Sequence, residues 1–291
     1  MKECTRALSF VHCIDLHMLT FLAIGNWGRR AHRHQVDVAS GLARAAREYQ
    51  ADFVVTTGDN FCDDGVDGVL DPQWHDSFDA VYDDAALDIP WYASLGDRDH
   101  RGDAGALVEY TQHDLRWRMS DQFYAINKRV DDSTHAQFVF LDTTPLSADR
   151  DLAPADDASL QLYWLRNMLA PSRSDWKIVI GHHALADLRL PDNTTAIAPV
   201  LQNFGVQAYL SGFKPGLGVR RTDGVCSVLS GAGGGEGAQA PLDDTASFYR
   251  AMPGFSVVTL ASKTLTIRFC DADGNVIHQE AVELAPHRKA A

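Results

Sequence analysis

Residues 51–61 read Ala51-Asp52-Phe53-Val54-Val55-Thr56-Thr57-Gly58-Asp59-Asn60-Phe61. The apolar and β-branched run is too short for a helix and stops at a glycine, which predicts a buried strand. Glycine there lets the chain turn sharply and leaves Asp59 at the strand's C-terminal edge. The same grammar recurs upstream. Residues 18–25 form a second apolar run ending in Gly25, and residues 36–50 carry Val38, Leu42, Ala45, Ala46 and Tyr49 at helical spacing.

Downstream, strands are expected at 91–95, 137–141, 177–180 and 207–210, and helices at 76–82 and 159–169. After residue 220 the helices stop. Runs at 225–229, 254–260 and 264–270, then an Asp273-Gly274-Asn275 turn into 276–282, predict antiparallel hairpins. Strand–helix–strand units followed by hairpins make an α/β chain with mixed sheets. Residues 18–283 read as one domain, with residues 1–17 as an N-terminal extension or upstream segment and 284–291 as a polar tail. Met18 is an alternative start.

Composition narrows the function classes. The chain has 291 residues, 45% hydrophobic and 22% charged, which is the make-up of a folded chain and not of a disordered one. Its 26 Lys and Arg against 39 Asp and Glu give a net charge of −13, which repels nucleic-acid backbones. No apolar run is long enough for a membrane-spanning helix. The stretch at 7–25 is broken by His12, Asp15 and His17 and is followed by Arg29-Arg30, a poor signal-cleavage context. Five cysteines (Cys4, Cys13, Cys62, Cys226, Cys270) form no paired motif, so an intracellular, reducing location is expected. The Asn193-Thr194-Thr195 sequon matters only in a secreted chain.

Five strands end in a polar loop opened by glycine: Gly25-Asn26-Trp27-Gly28, Gly58-Asp59-Asn60-Phe61-Cys62, Gly96-Asp97-Arg98-Asp99-His100, Gly181-His182-His183 and Gly212-Phe213-Lys214-Pro215. Carboxylates, amides and imidazoles gathered at one sheet edge are what metal-assisted phosphate chemistry requires. One such loop is an ordinary turn; five in register point to a site.

With Pro90-Trp91-Tyr92, Phe140-Leu141-Asp142-Thr143, Trp164-Leu165, Gly205-Val206, Ala208-Tyr209-Leu210 and Val228-Leu229-Ser230-Gly231-Ala232-Gly233, the chain resembles the tartrate-resistant, low-molecular-weight purple acid phosphatases of the calcineurin-like metallophosphoesterase superfamily, from about residue 19 to about residue 279. The resemblance implies a four-layer sandwich of two mixed β-sheets flanked by helices, with two metal ions at the strand C-termini. It implies a ferric ion held by a first-loop aspartate, a bridging aspartate and a tyrosine of the second loop, and a fifth-loop histidine. It implies a divalent ion held by the bridging aspartate, a third-loop asparagine, a fourth-loop histidine and another fifth-loop histidine. Further histidines bind phosphate and protonate the leaving alcohol.

Position by position, this sequence departs from that pattern. Asp59 and His182 stand where the family has its bridging aspartate and fourth-loop histidine. Asn26 replaces the first-loop aspartate, Cys62 the tyrosine and Asp97 the third-loop asparagine. Arg98 replaces a catalytic histidine, and Phe213 and Pro215 replace both fifth-loop histidines. No histidine stands near Pro191, where the second catalytic one is expected. The residual metal candidates are Asn26, Asp59, Cys62, Asp97 and His182. Arg98, Lys214 and His183 are candidates for anion binding, or for neutralising Asp59 and Asp97.

The resulting expectation is a purple acid phosphatase-like pseudophosphatase without a cofactor, acting as a binding or structural subunit for protein partners. The alternative is a weak phosphomonoesterase on one divalent ion (magnesium, manganese, iron or zinc), with phosphate or a phosphomonoester as ligand. Gly231–Gly237 lacks the Gly-Lys-Ser/Thr of a nucleotide-binding loop, and the resemblance implies that it packs beneath the site. The Asp-Asp doublets read as solvated turns. Arg29-Arg30 with His32-Arg33-His34 reads either as a surface for an acidic partner or as a solvated face beside a helix. His100 is expected to order the third loop.

Overall fold

In a computed structural model, residues 18–62, 64–147, 155–189, 197–222, 224–235 and 246–284 are described. The expected N-terminal extension, the sequon, the position near Pro191, the end of the glycine stretch, the 243–244 acidic doublet and the tail after residue 284 lie outside them.

Fourteen strands among these residues form two seven-stranded mixed sheets. The first runs in the order β14 (Val276–Glu283), β13 (Thr264–Asp271), β12 (Gly254–Leu260), β1 (Leu19–Ile24), β2 (Phe53–Thr56), β3 (Trp91–Tyr92) and β4 (Trp117–Arg118). The second runs β11 (Ala246–Arg250), β9 (Leu217–Thr222), β10 (Val225–Ser230), β8 (Ala208–Ser211), β7 (Trp176–Ile180), β6 (His135–Phe140) and β5 (Tyr124–Arg129). The inner strands β1, β2, β3 and β6, β7, β8, β10 are parallel, so their C-terminal ends meet at one edge.

The alternation along β6 and β7 builds the layers. Phe138, Phe140, Ile178 and Ile180 join the large core between the sheets. Val139, Leu141 and Val179 join a second core beneath α3 (Ala155–Leu169) and α4 (Ala198–Asn203). Phe21 of β1 meets Phe138 of β6 edge-on at 5.4 Å, which locks one sheet to the other. On the far side α1 (Arg33–Tyr49) lays Val38, Leu42, Ala45 and Ala46 against the first sheet. The expected layered α/β sandwich is the observed one.

Several elements differ from the sequence reading. The helix expected at 76–82 is a π-helical turn, Trp74–Asp79, held by Trp74 and Phe78 in the core. The strand expected at 91–95 is only Trp91–Tyr92. The short helix α2 (Ala104–Glu109), α4, and strands β4, β5, β9 and β11 carry no usable periodicity. Half-exposed β5 ends in Asn127-Lys128-Arg129, and β9 switches from Leu-Gly-Val to Arg220-Arg221. Both are strands because neighbours supply the ladder. β10, expected in a hairpin, is antiparallel to β9 and parallel to β8.

Trp27, just past β1, organises the first-loop side of the core. Its indole lies 5.4 Å from Phe61 and Tyr82 and 5.9 Å from Phe78 and Trp91, and its Nε1–H donates to Asn60 Oδ1 at 3.2 Å. Trp27→Ala should lower the unfolding free energy by roughly 3–5 kcal/mol, read from urea denaturation. A loss under about 1 kcal/mol would mean that this cluster does not anchor the loop.

Candidate metal-centre pocket

The strand ends bring Asn26, Asp59, Asp97, His182, His183 and Phe213 to one edge. The approach is close enough to need glycine. A Cβ on Gly58, where φ is +84°, would stand 2.6 Å from His182 Nδ1, and one on Gly96 would stand 2.4 Å from the Asp59 backbone nitrogen. Asp59 itself takes φ +52° and Asn26 φ +55°, left-handed conformations that short polar side chains tolerate best.

Asp59 is buried and enclosed by a cation. The Arg98 backbone N–H donates to its Oδ1 at 3.0 Å, and Arg98 Nε lies 3.1 Å from its Oδ2. Asp97 is also buried, and its Oδ1 lies 3.0 Å from His183 Nε2. Burial pushes the Asp97 carboxyl upward, but the His183 contact and the charges of His182 and His183 hold it below the ordinary aspartate value.

The histidine tautomers follow from their other nitrogens. His182 Nδ1 faces the Thr57 carbonyl at 2.9 Å, an acceptor only, so Nδ1 carries hydrogen. In the neutral ring Nε2 then presents a lone pair, 3.4 Å from Asp59 Oδ1 and 3.9 Å from Asp97 Oδ1. Thr143 Oγ1 accepts the backbone N–H groups of His182 and His183 at 3.1 and 3.0 Å. Its hydroxyl proton is thereby directed to His183 Nδ1 at 3.0 Å, which leaves His183 Nε2–H for Asp97.

The substituted positions are absorbed into the scaffold. The Asn26 amide donates to the carbonyls of Gly212 at 2.6 Å and Gly231 at 2.9 Å, tying the first loop to the fifth and to the glycine stretch. The Phe213 ring stacks on His183 at 4.8 Å and meets His182 edge-on at 5.6 Å. The Pro215 carbonyl accepts from Tyr249 Oη at 3.4 Å. Burial pushes the Cys62 thiol up to about 12, so it remains a protonated thiol at neutral pH, with Sγ 3.8 Å from the Asp59 carbonyl.

Lys214 is not brought to Asp59 or Asp97. It lines a small hollow with Leu185, Arg220 and Ser227 and forms no ion pair among the described residues. In place of the neutralisation expected from Arg98 and Lys214, Arg98 faces Asp59 and His183 faces Asp97. His100 does order the third loop, with Nε2 2.8 Å from Asp142 Oδ2.

Two buried residues were not singled out in the sequence reading. Asp99 accepts N–H groups of Asn60, Phe61 and Gly96. Thr143 aligns both histidines. The Asp99-His100 and Leu141-Asp142-Thr143 motifs flagged these segments but not what the side chains hold.

These residues do not fit a two-metal centre. Phe213 and Pro215 offer no side-chain donor, the Asn26 amide hydrogens point at backbone carbonyls, and a guanidinium lies against Asp59. Among the described residues, no three His, Cys, Asp or Glu side chains are arranged to hold a metal ion.

The calcineurin-like phosphoesterase family matches residues 8–212. Purple acid phosphatase 4 of Arabidopsis thaliana is 30% identical over 285 residues, covering 90% of this chain and 82% of that one. Tartrate-resistant acid phosphatase type 5 of Homo sapiens is 30% identical, with 88% of each chain covered. Among solved structures, "GAP50 the anchor in the inner membrane complex of Plasmodium" superposes with a TM-score of 0.84 at 23% identity, over 93% of this chain and 90% of that one. Purple acid phosphatase PPD1 of yellow lupin gives 0.65 at 13% identity, over 91% and 54%. The chain belongs to the calcineurin-like phosphoesterase family, on its purple acid phosphatase branch.

Two predictions follow from the pocket. Restoring the family's carboxylate with Asn26→Asp sets a negative charge against two carbonyl oxygens. It should destabilise the fold by roughly 1–3 kcal/mol at neutral pH, and by less in acid, where a protonated carboxyl can donate one bond again. Urea midpoints at the two pH values measure this, and equal stability of Asn26→Asp and wild type at neutral pH would refute the Asn26 tie.

The second prediction concerns pH. Burial opposes the charge on His100, but the Asp142 bond and charge win and raise its pKa above the ordinary value. Burial and the Asp59 charge push Asp99 up to about 7. In both cases the folded state binds protons more readily than the unfolded chain. The His100 contribution is complete below the unfolded value of about 6.5 and is lost as pH rises through the folded one. The Asp99 contribution declines from about pH 4 to about pH 7. Stability should therefore fall as pH rises from about 4 through about 7, and His100→Gln should flatten the part of that slope above about pH 6.5.

Proposed function

We propose that this chain is a pseudophosphatase of the purple acid phosphatase branch, in which an internal salt bridge stands in for the metal centre. The fold is kept as a binding or structural subunit for a protein partner. One observation carries the reading: Arg98 Nε lies 3.1 Å from Asp59 Oδ2, at the position of the family's bridging ligand. A fixed cation there neutralises the carboxylate and repels a dication. At about 5 Å and an effective dielectric near 20, the repulsion is on the order of 3 kcal/mol or more. Phe213 against both histidines supports the same reading, since its ring takes space beside them without donating. The Plasmodium chain of similar fold, described as an anchor, supports a role in assembly. The net charge of −13 speaks against nucleic acid as partner.

A second reading has its own observation. His182 Nε2 presents its lone pair between Asp59 and Asp97, with Nδ1 fixed by the Thr57 carbonyl, an arrangement that suits imidazole as a ligand. One divalent ion (magnesium, manganese, iron or zinc) held there would supply Lewis acidity for weak phosphomonoester hydrolysis.

Elemental analysis and a para-nitrophenyl phosphate assay from about pH 4 to about pH 8 separate the two readings. The pseudophosphatase reading expects no stoichiometric metal, no turnover and no thermal stabilisation by millimolar manganese or magnesium. It also expects Arg98→Ala to gain such stabilisation, because Asp59 is then released. Stoichiometric metal in the wild-type protein, with turnover abolished by Asp59→Ala, would overturn it.

A further inference from the structure

A cleft of about 650 Å³ opens beside the pocket, at the start of α1. Arg29, Arg30, His32, Gly234 and Gly235 line it. It shares Cys62 with the pocket but none of Asp59, Asp97, Arg98 or His182. Arg29 Nε is buried, with no hydrogen-bond partner among the described residues. The glycine stretch lies over this guanidinium: a Cβ on Gly235 would come within 3.4 Å of Arg29 Nε, and one on Gly234 within 2.9 Å of its Cδ. A buried guanidinium nitrogen without a hydrogen bond is unusual, and the Arg29 residue that carries it lines the cleft.

The segment that presents it is fixed. Arg30 and Ala31 take φ +49° and +56°, a left-handed pair without glycine. Buried Gln35 holds them there, with Oε1 accepting the N–H groups of Arg29 at 2.9 Å and Ala31 at 3.1 Å and Nε2 donating to the Ser77 carbonyl. Ser77 Oγ accepts the Arg30 N–H at 2.8 Å. The 17-residue α1 starts here with no side-chain cap from His32 and no acidic residue in its first turn, so the positive end of its dipole is not neutralised from within.

Asp64, Asp67 and Asp71 also line the cleft, and the Asp71 charge lies in the field of Arg30. Asp64 lies 3.5 Å from Arg101, and Asp71 accepts the N–H groups of Asp67 and Gln73 at 2.8 Å each. The charges of Asp67 and Asp71 favour a compact ligand at the Arg29 end over one that fills the cleft.

We propose that this cleft is an oxyanion-binding site, taking a phosphate or sulfate group, free or carried on a partner, between Arg29, Arg30 and the start of α1. The guanidinium fork matches the tetrahedral oxygens, and the glycine stretch leaves them room. This site stands whichever reading of the Asp59–His182 pocket holds.

Calorimetric titration of the full chain with sodium phosphate, sulfate and chloride at equal ionic strength tests it. Phosphate and sulfate should bind and chloride should not, and Arg29→Met should weaken phosphate by about tenfold or more. Lys263→Met, an exposed cation between β12 and β13, should leave the affinity within about twofold. Should Arg29→Met misfold by circular dichroism, Arg29→Lys keeps the charge without the fork and should bind with intermediate affinity. O-phosphoserine should compete with inorganic phosphate, and the tighter of the two names the source. Phosphate heats equal to those of chloride would overturn the proposal. So would undiminished binding in the Arg29 variants, or loss of binding in Lys263→Met.

Discussion

A carboxylate buried at the end of β2 needs a counter-charge, and the identity of that charge governs the chemistry the pocket can perform. Here Asp59 finds it in its own chain, from the Arg98 guanidinium and the Arg98 backbone N–H. The close approach of Gly96 and the left-handed backbone of Asp59 fix the carboxylate where the partner must reach it. Everything nearby is arranged around that pairing. Asp97 turns to His183, and His182 is left with its Nε2 facing two carboxylates.

The remaining substitutions do not leave a ruined cavity. Asn26 joins three loops through two carbonyl bonds, and Phe213 fills the space beside the histidines. Cys62 packs as a small neutral group, and Pro215 engages Tyr249. Asn26 and Phe213 make side-chain contacts that a metal ligand at the same place would not make, whereas the Pro215 bond uses only its backbone carbonyl. In the proposed reading this is why the fold persists without ions: hydrogen bonds and ring packing provide the cohesion between loops.

The neighbouring cleft shows the opposite pattern. There Arg29 and Arg30 face a wall that also carries three aspartates, the helix start has no side-chain cap, and Arg29 Nε has no hydrogen-bond partner among the described residues, while the left-handed backbone around it is firmly held. Buried Gln35 and Ser77 hold that left-handed backbone by hydrogen bonds, whereas in the Asp59 pocket the charged groups pair with one another.

Much of this was written in the chain itself. Apolar runs ending in glycine located β1, β2, β7 and β8, because strands buried on both faces need continuous hydrophobicity and their C-terminal turns need glycine. They also placed Asn26, Asp59, Asp97, His182 and Phe213 at one edge. What local pattern could not reveal were β5 and β9, whose polar residues become strand only through their neighbours, and the partner each site residue takes. Asp97 with His183 and Asn26 with Gly212 and Gly231 are relations between segments up to some 200 residues apart, and Arg29 Nε finds no hydrogen-bond partner among the described residues. The sequence by itself determined which chemical groups reach the edge. Only the tertiary structure decided which of them neutralise one another, because charge pairing and hydrogen bonding depend on distances of about 3 Å that spacing along the chain does not encode.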